Sequence, residues 1–281
     1  MIAAVIPTFN EVELLSACVD SILSQDIEGL RVIVVNAGDA LPSELANRVI
    51  EHRVPGDCFW TGCVSEGVKV AKSLQADYCL FTNADTNFLP DSIGKLIAAV
   101  NGEPHAIACS PAYVEDPNGA LETLYTDQSD LGPLLYGKIL KRWQKPSEAP
   151  EMPFPIQLTG GQGVLVPIGV FQSSELDIKR FPHYASDHDL WIQARKHGYH
   201  LLLVPQAGVV NQREFNAKKP GSGSLLPSLW NRMTSEYKPE SWPIMWRFRC
   251  KHQGPLIGFF TTLVSFGLRW TIGLPKIVRR S

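Results

Sequence analysis

Asp85 stands where a short apolar run stops. Tyr78-Cys79-Leu80-Phe81-Thr82 has the composition of a buried strand, and it gives way to Asn83-Ala84-Asp85-Thr86, small residues mostly carrying side-chain oxygens. Pro90 and Asp91 follow, a helix-start signal. A carboxylate at the carboxyl end of a buried strand lies where open α/β sheets bind ligands. Such oxygens suit a hard cation, Mg²⁺ or Mn²⁺, and that cation suits a phosphate. The same residues also suit a plain strand-to-helix turn in which Asn83 and Asp85 cap backbone groups. Two other turns carry comparable chemistry, Pro7-Thr8-Phe9-Asn10-Glu11 and Asn36-Ala37-Gly38-Asp39. Gathered at one edge of a doubly wound sheet, their amides, carboxylates and hydroxyls fit a base and a ribose. There is no Gly-x-x-x-x-Gly-Lys-Ser/Thr phosphate loop, and Gly160-Gly161-Gln162-Gly163 does not open the first helix, which argues against P-loop and dinucleotide sites.

The elements that must hold these turns are legible as an alternation. Strands are expected over 3–6, 31–35, 78–82, 106–109, 164–166 and 200–204. Helices are expected over 14–23, 43–52, 64–74, 93–100 and 188–197. Helical spacing also runs through part of 125–143 (Leu131, Leu134, Leu135, Ile139, Leu140), and 146–155 reads as a Pro-rich connection. The pattern predicts an α/β fold whose mostly parallel sheet is flanked by crossover helices. The expected organisation is a main domain over 1–215, a loop over 216–228 that includes the Gly- and Ser-rich stretch 216–224, and a helical C-terminal segment over 229–281.

Composition narrows the class. The chain has 281 residues, 44% hydrophobic and 19% charged, which excludes a disordered or low-complexity protein. Six cysteines without a Cys-x-x-Cys pair read as reduced core residues in the cytoplasm and argue against zinc. Met1 to Ile6 is apolar but too short, and too poor in flanking bases, for a signal peptide; it reads as the first strand. The net charge of −2 is unevenly spread, because 238–281 holds eight Lys and Arg against one acid, Glu240. That asymmetry points to an anionic surface as partner, on the inner face of the plasma membrane, and no nucleic acid is expected. The apolar run from Pro255 to Leu268 falls short of the roughly 20 residues that span a bilayer. With Trp230, Trp242, Trp246 and Trp270 nearby, it suits a helix lying in the membrane interface. The alternative is a helical pair packed on the body or on a second subunit as a homodimer.

Taken in order, the turns resemble the family 2 glycosyltransferases of the GT-A fold, over Ile2 to about Asn211. The opening strand and nucleotide loop are matched by Val5-Ile6-Pro7-Thr8-Phe9-Asn10-Glu11, and the base-reading turn by Val34-Val35-Asn36-Ala37-Gly38-Asp39. Trp60-Thr61-Gly62 with Gly67 resembles the segment before the metal motif. Asn83-Ala84-Asp85-Thr86 looks like a variant of the family's Asp-x-Asp motif. Gly161-Gln162-Gly163 is similar to the acceptor-side turn, and 181–190 with Arg195 and Gly198 to the segment bearing the base.

The resemblance implies an inverting transfer of a sugar, hexosyl or deoxyhexosyl, from a nucleotide diphosphate sugar of UDP, dTDP or GDP type. The acceptor would be a hydroxyl of a saccharide or glycolipid, in cell-surface polysaccharide synthesis. It implies Asp187 as catalytic base and Asp85 as ligand to Mg²⁺ or Mn²⁺. Pro7, Thr8, Glu11, Asn36, Asp39 and Asn83 would bind nucleotide, and Gly161, Gln162 and Asp189 acceptor or sugar. Asp189 is the competing choice for the base and also a candidate for orienting a helix or a basic partner, and Ser186 or Asp187 for a helix N-cap. The chain departs from the family in having Ala37 and Asn83 where Asp is usual, and in having no His in Val210-Asn211-Gln212-Arg213. Arg213, Lys218 and Lys219 are candidates to meet the diphosphate instead. A sugar-phosphate nucleotidyltransferase and a non-catalytic scaffold of the same fold are the competing readings.

Overall fold

The computed structural model describes residues 1–129, 138–212, 234–235 and 241–278, with side chains described as far as 267. At its centre is β1 (Ile2–Thr8), whose run Ala3-Ala4-Val5-Ile6 is fully buried. Burial on both faces explains why this strand reads as a continuous apolar run. Alternate side chains enter two separate cores: Ala3 and Val5 pack on one side, and Ile2, Ala4 and Ile6 on the other.

Parallel partners flank β1: β2 (Leu30–Asn36), then β3 (Ile50–Arg53), on one side, and β4 (Tyr78–Phe81) on the other. Beyond β4 come β12 (Val164–Pro167), β6 (Ala106–Cys109), β13 (His200–Leu203) and β11 (Phe154–Ile156). Only β12 and β11 run antiparallel to their neighbours in this eight-stranded sheet. A smaller four-stranded sheet has the order β5 (Thr86–Phe88), β14 (Val209–Asn211), β7 (Ala112–Glu115), β8 (Leu121–Tyr125). It places Asn211 directly opposite Thr86.

Helices cover both faces. On one, α1 (Val12–Leu23) buries Leu15, Cys18, Val19 and Ile22, a helical stripe, beside α4 (Ser92–Val100) with Ile93, Leu96 and Val100. On the other, α3 (Phe59–Ser73) lies so close to the sheet that a Cβ at Gly67 would stand 2.2 Å from Val5 Cγ1. The same face carries α5 (Val170–Ser173) and α6 (Ser186–Lys196). The C-terminal helices α7 (Trp242–Gln253) and α8 (Pro255–Val278) form a hairpin turned at Gly254, where φ is 84° and a side chain would be strained.

Two expectations are corrected. Residues 43–52 are not one helix: α2 (Ser43–Ala46) makes a single turn, and Ile50–Arg53 joins the sheet as β3. Pairing with β2 outweighs local helical spacing there. In 125–143, Thr126 N bonds Leu140 O, and β9 (Asp127–Ser129) pairs with β10 (Lys138–Leu140). Arg142 clamps buried Asp127 through two hydrogen bonds, at 2.8 and 2.7 Å, which fixes that pairing. Leu131, Leu134 and Leu135 lie outside the described residues, as do the loop expected at 216–228 and Arg213, Lys218 and Lys219. The strand β5, three residues long, carries no periodicity that a sequence can show.

Candidate active site

The turns after β1 and β4 open into one cavity of about 820 Å³, within the usual range of small-molecule sites. Pro7, Thr8 and Glu11 line it from the first turn, Asn83 and Asp85 from the second. Gly161 and Gln162 enter from the loop before β12, and Asp187 from the first turn of α6. The two carboxylates that the sequence singled out therefore face the same space, although 102 residues separate them in the chain.

Local chemistry explains their placement. Asp187 Oδ1 accepts a hydrogen bond from the His188 backbone N at 2.8 Å, and a carboxylate in a helix's first turn is favoured by the helix dipole. The start of α6 is tied to α3: Thr61 N donates to Pro182 O at 3.1 Å, while Thr61 Oγ1 sits 2.5 Å from Phe181 O and 2.8 Å from Ser186 Oγ. These buried bonds fix how Asp187 enters the cavity. Across from it, Trp60 Nε1 donates to Asn83 Oδ1 at 2.8 Å and so holds the turn that carries Asp85. Thr8 Oγ1 is buried with no protein hydrogen-bond partner in the structure, which leaves a polar group for a ligand to satisfy.

Tyr125 was not singled out by the sequence, yet it stands near both carboxylates. Burial pushes its phenol strongly upward, and the charges of Asp187 and Asp85 push it further. It stays a neutral hydroxyl at any physiological pH. A Cβ at Gly160 would lie 3.1 Å from its oxygen and 4.0 Å from Asp187 Oδ2, so bare backbone is needed between them. Phe9, Phe59, Trp60, His183 and Tyr184 add aromatic walls. Burial lowers the His183 pKa, only partly offset by the Asp187 charge, so this imidazole is neutral near pH 7. Periodicity gives no signal for Tyr125, which ends a short strand of the second sheet.

Three predicted residues lie outside the cavity lining. Asn36 is buried, and its amide nitrogen donates to Asp39 O in its own turn at 2.6 Å and to Glu51 Oε1 on β3 at 2.7 Å. Its Oδ1 accepts from Gly38 N at 2.9 Å. The Asn36 amide thus holds the turn after β2 together and ties it to β3. Asp39 is exposed and anchored by its backbone N to Asn10 Oδ1 at 2.7 Å. Asp189 is not among the cavity-lining residues. It is fully buried behind α6, 2.9 Å from Lys251 Nζ and 2.9 Å from His252 Nε2, both on α7.

Gly161 illustrates how tightly the site is assembled. A Cβ there would lie 2.6 Å from Trp60 Cζ2. Gly161→Ala is expected to push the indole off Asn83, to cost about 1–3 kcal/mol of stability by overpacking and to weaken ligand binding. Denaturant midpoints and calorimetric titration of nucleotide diphosphates would read both effects; unchanged values in both would clear Trp60 of this role.

The donor set can be tested against a divalent ion. Among the described residues there is no cluster of three or more His, Cys, Asp or Glu. Asp85 with the neighbouring amide Asn211, which also lines the cavity, offers one carboxylate and one neutral oxygen. That fits Mg²⁺ or Mn²⁺ in the mode where most ligands are waters and substrate phosphates.

Two solved structures share the fold at low identity. A crystal structure of GalNAc-T7 with UDP, GalNAc and Mn²⁺ superposes with TM-score 0.63 and 13% identity, over 90% of this chain and 52% of that one. The crystal structure of S. aureus TarS gives TM-score 0.54 and 11% identity, over 75% and 36%. The chain thus spans about half the length of the first and about a third of the second. No curated protein sequence matches it. The architecture is that of a GT-A glycosyltransferase domain. The family model described as Glycosyl transferase family 2 matches residues 3–155, more than half of the chain, and the chain belongs to that family.

Proposed function

We propose that the protein is an inverting glycosyltransferase that moves a sugar from a nucleotide diphosphate sugar to a hydroxyl of a saccharide or glycolipid. The observation that carries this reading is that Asp85 and Asp187 line one cavity from separate elements, at the end of β4 and the start of α6. The nucleotide would lie along the β1 turn. There Phe9 offers an exposed ring face to a base, and the unsatisfied Thr8 hydroxyl and the Glu11 carboxylate offer polar partners to the ribose. The aromatic walls at Trp60 and Tyr184 suit the apolar faces of sugar rings.

Asp187 would take the proton from the acceptor hydroxyl as that oxygen attacks the anomeric carbon. Its Oδ1 is held by the His188 amide, which orients the carboxylate for that task. Attack on the face opposite the departing diphosphate inverts the anomeric centre. The Tyr125 hydroxyl, kept protonated by burial, can donate a hydrogen bond to a sugar oxygen or to either carboxylate. Charge on the leaving diphosphate would be met by Mg²⁺ or Mn²⁺ held on Asp85.

The direct test offers UDP-, dTDP- and GDP-sugars with Mn²⁺ and follows nucleoside diphosphate release, with the product's anomeric configuration read by NMR. Retention of configuration, or no release from any donor, would end the proposal. Asp85→Ala is expected to weaken Mn²⁺-dependent nucleotide binding by about 10–100-fold in calorimetry while leaving metal-free binding nearly unchanged. Equal titrations for both proteins would remove Asp85 from the metal site.

A further inference from the structure

The C-terminal hairpin is amphipathic in the opposite sense to a helix packed for water. The face of α8 turned toward α7 sets small and polar residues, Gly258, Thr262 and Ser265, beside Phe259 and Phe266, whose ring centroids lie 6.3 and 5.4 Å from that of Trp242 on α7. A Cβ at Gly258 would lie 2.5 Å from Cys250 N and 2.7 Å from the Arg249 carbonyl carbon, so the two helices touch backbone to backbone. Thr262 Oγ1 donates to Gly258 O at 2.6 Å. Arg249, buried between the helices, donates to Thr261 O and to Ser265 Oγ.

A second set of large apolar side chains points the other way. Leu256, Ile257, Phe260, Leu263 and Val264 follow the i, i+3, i+4 spacing of one stripe and are 48–75% exposed. Trp246 on α7 is exposed beside them. Small residues between helices with apolar residues outside is how helices pack in lipid, where the surroundings rather than the partner helix take up the large side chains. A contiguous exposed patch of this kind marks an interaction site. No described helix is long and apolar enough to cross a membrane.

We infer that the exposed stripe of α8 docks in the headgroup region of an anionic lipid surface, with the helix lying along it. Charge argues for this occupant over a second copy of the chain. The sequence from 241 to 281 holds no acid and, besides the internally engaged Arg249 and Lys251, five further Lys and Arg, so two such segments face to face would set like charges together, whereas anionic headgroups complement them. The contacts of Lys251 and His252 with Asp189 join the hairpin to α6, so a lipid-bound hairpin would also fix how the cavity faces the membrane. This inference does not depend on the proposed chemistry.

Flotation of the full chain with vesicles tests it. Vesicles of phosphatidylcholine mixed with phosphatidylglycerol are expected to carry the protein, and phosphatidylcholine alone or high salt to lower binding about tenfold or more. The double variant Phe260→Glu, Leu263→Glu is expected to lose about tenfold or more of the binding to the mixed vesicles, with unchanged circular dichroism and Tm. Both positions are exposed, so charge there does not threaten the fold. Equal binding of wild type and variant, or of the two vesicle types, overturns the inference. So does a wild-type dimer in sedimentation that the double variant converts to monomer while neither protein floats.

Discussion

Asp187→Asn is expected to lower kcat for sugar transfer by about 10²–10⁴-fold, the usual contribution of a positioned general base. The amide has nearly the shape of the carboxylate, and its oxygen can still accept from the His188 N, so the first turn of α6 should survive the change. The amide cannot take a proton from an attacking hydroxyl. The loss should therefore fall on kcat, with donor KM and the calorimetric Kd for nucleoside diphosphate close to wild type. A loss shared equally between nucleotide binding and turnover would instead mean that Asp187 shapes the donor pocket. Wild-type turnover would transfer the base role away from it. Glu11 is the other acid besides Asp85 among the cavity-lining residues, but it belongs to the β1 turn, where the nucleotide is proposed to lie.

The parts of this molecule that could be read from its sequence are those governed by periodicity. The runs 3–6, 32–35 and 79–81 inside the expected strands announce central strands because burial on both faces leaves no polar position, and α1 and α3 show the 3.6-residue stripe that a sheet face imposes. The turns after β1 and β4 could be found because chemistry-bearing residues follow each run directly. What periodicity did not show was decided at a distance. Ile50–Arg53 became a strand because β2 offers it an edge. Asn36 looked like a free amide, but Glu51, from that same edge strand, and the Asp39 carbonyl engage its donors. Tyr125 and His183 reach the cavity from loops and a second sheet whose placement no local pattern encodes. Asp189 sits two residues from Asp187 and reads as its twin, yet on a helix residues two apart do not face the same way. One enters the cavity and the other turns into the protein.

That division makes Asp189 the origin of the largest expected loss of stability. Its carboxylate is fully buried and engages Lys251 and His252 from α7, each at 2.9 Å, and Gln193 at 2.8 Å. Asp189→Ala removes the shared acceptor and leaves an ammonium and an imidazole in a largely buried place. Breaking a buried pair from one side costs about 3–5 kcal/mol, and the lower end is expected here because Lys251 keeps Asp177 at 2.9 Å. The helix should detach rather than the whole domain unfold, so hydrogen exchange in α7 is expected to rise well above that in β1 and β4. The remaining partner gives the docking a pH window. Burial alone would raise the Asp177 pKa, but hydrogen bonds from Lys251 and Arg180 outweigh it and hold the carboxyl below its ordinary 3.8. Its stabilisation is present above that value and is lost as pH falls through the lowered one. Burial alone would lower the Lys251 pKa, but its bonds to Asp177 and Asp189 outweigh that and hold it above 10.5. Its stabilisation is complete below 10.5 and is lost as pH rises through the raised value. Docking of α7 in the wild type should thus be flat between these limits. In Asp189→Ala the alkaline limit should move down, because Lys251 has lost one of the two acceptors that raise it. Exchange rates in α7 that match wild type at neutral pH, or an unmoved alkaline limit, would show that Asp189 does not hold the C-terminal helix.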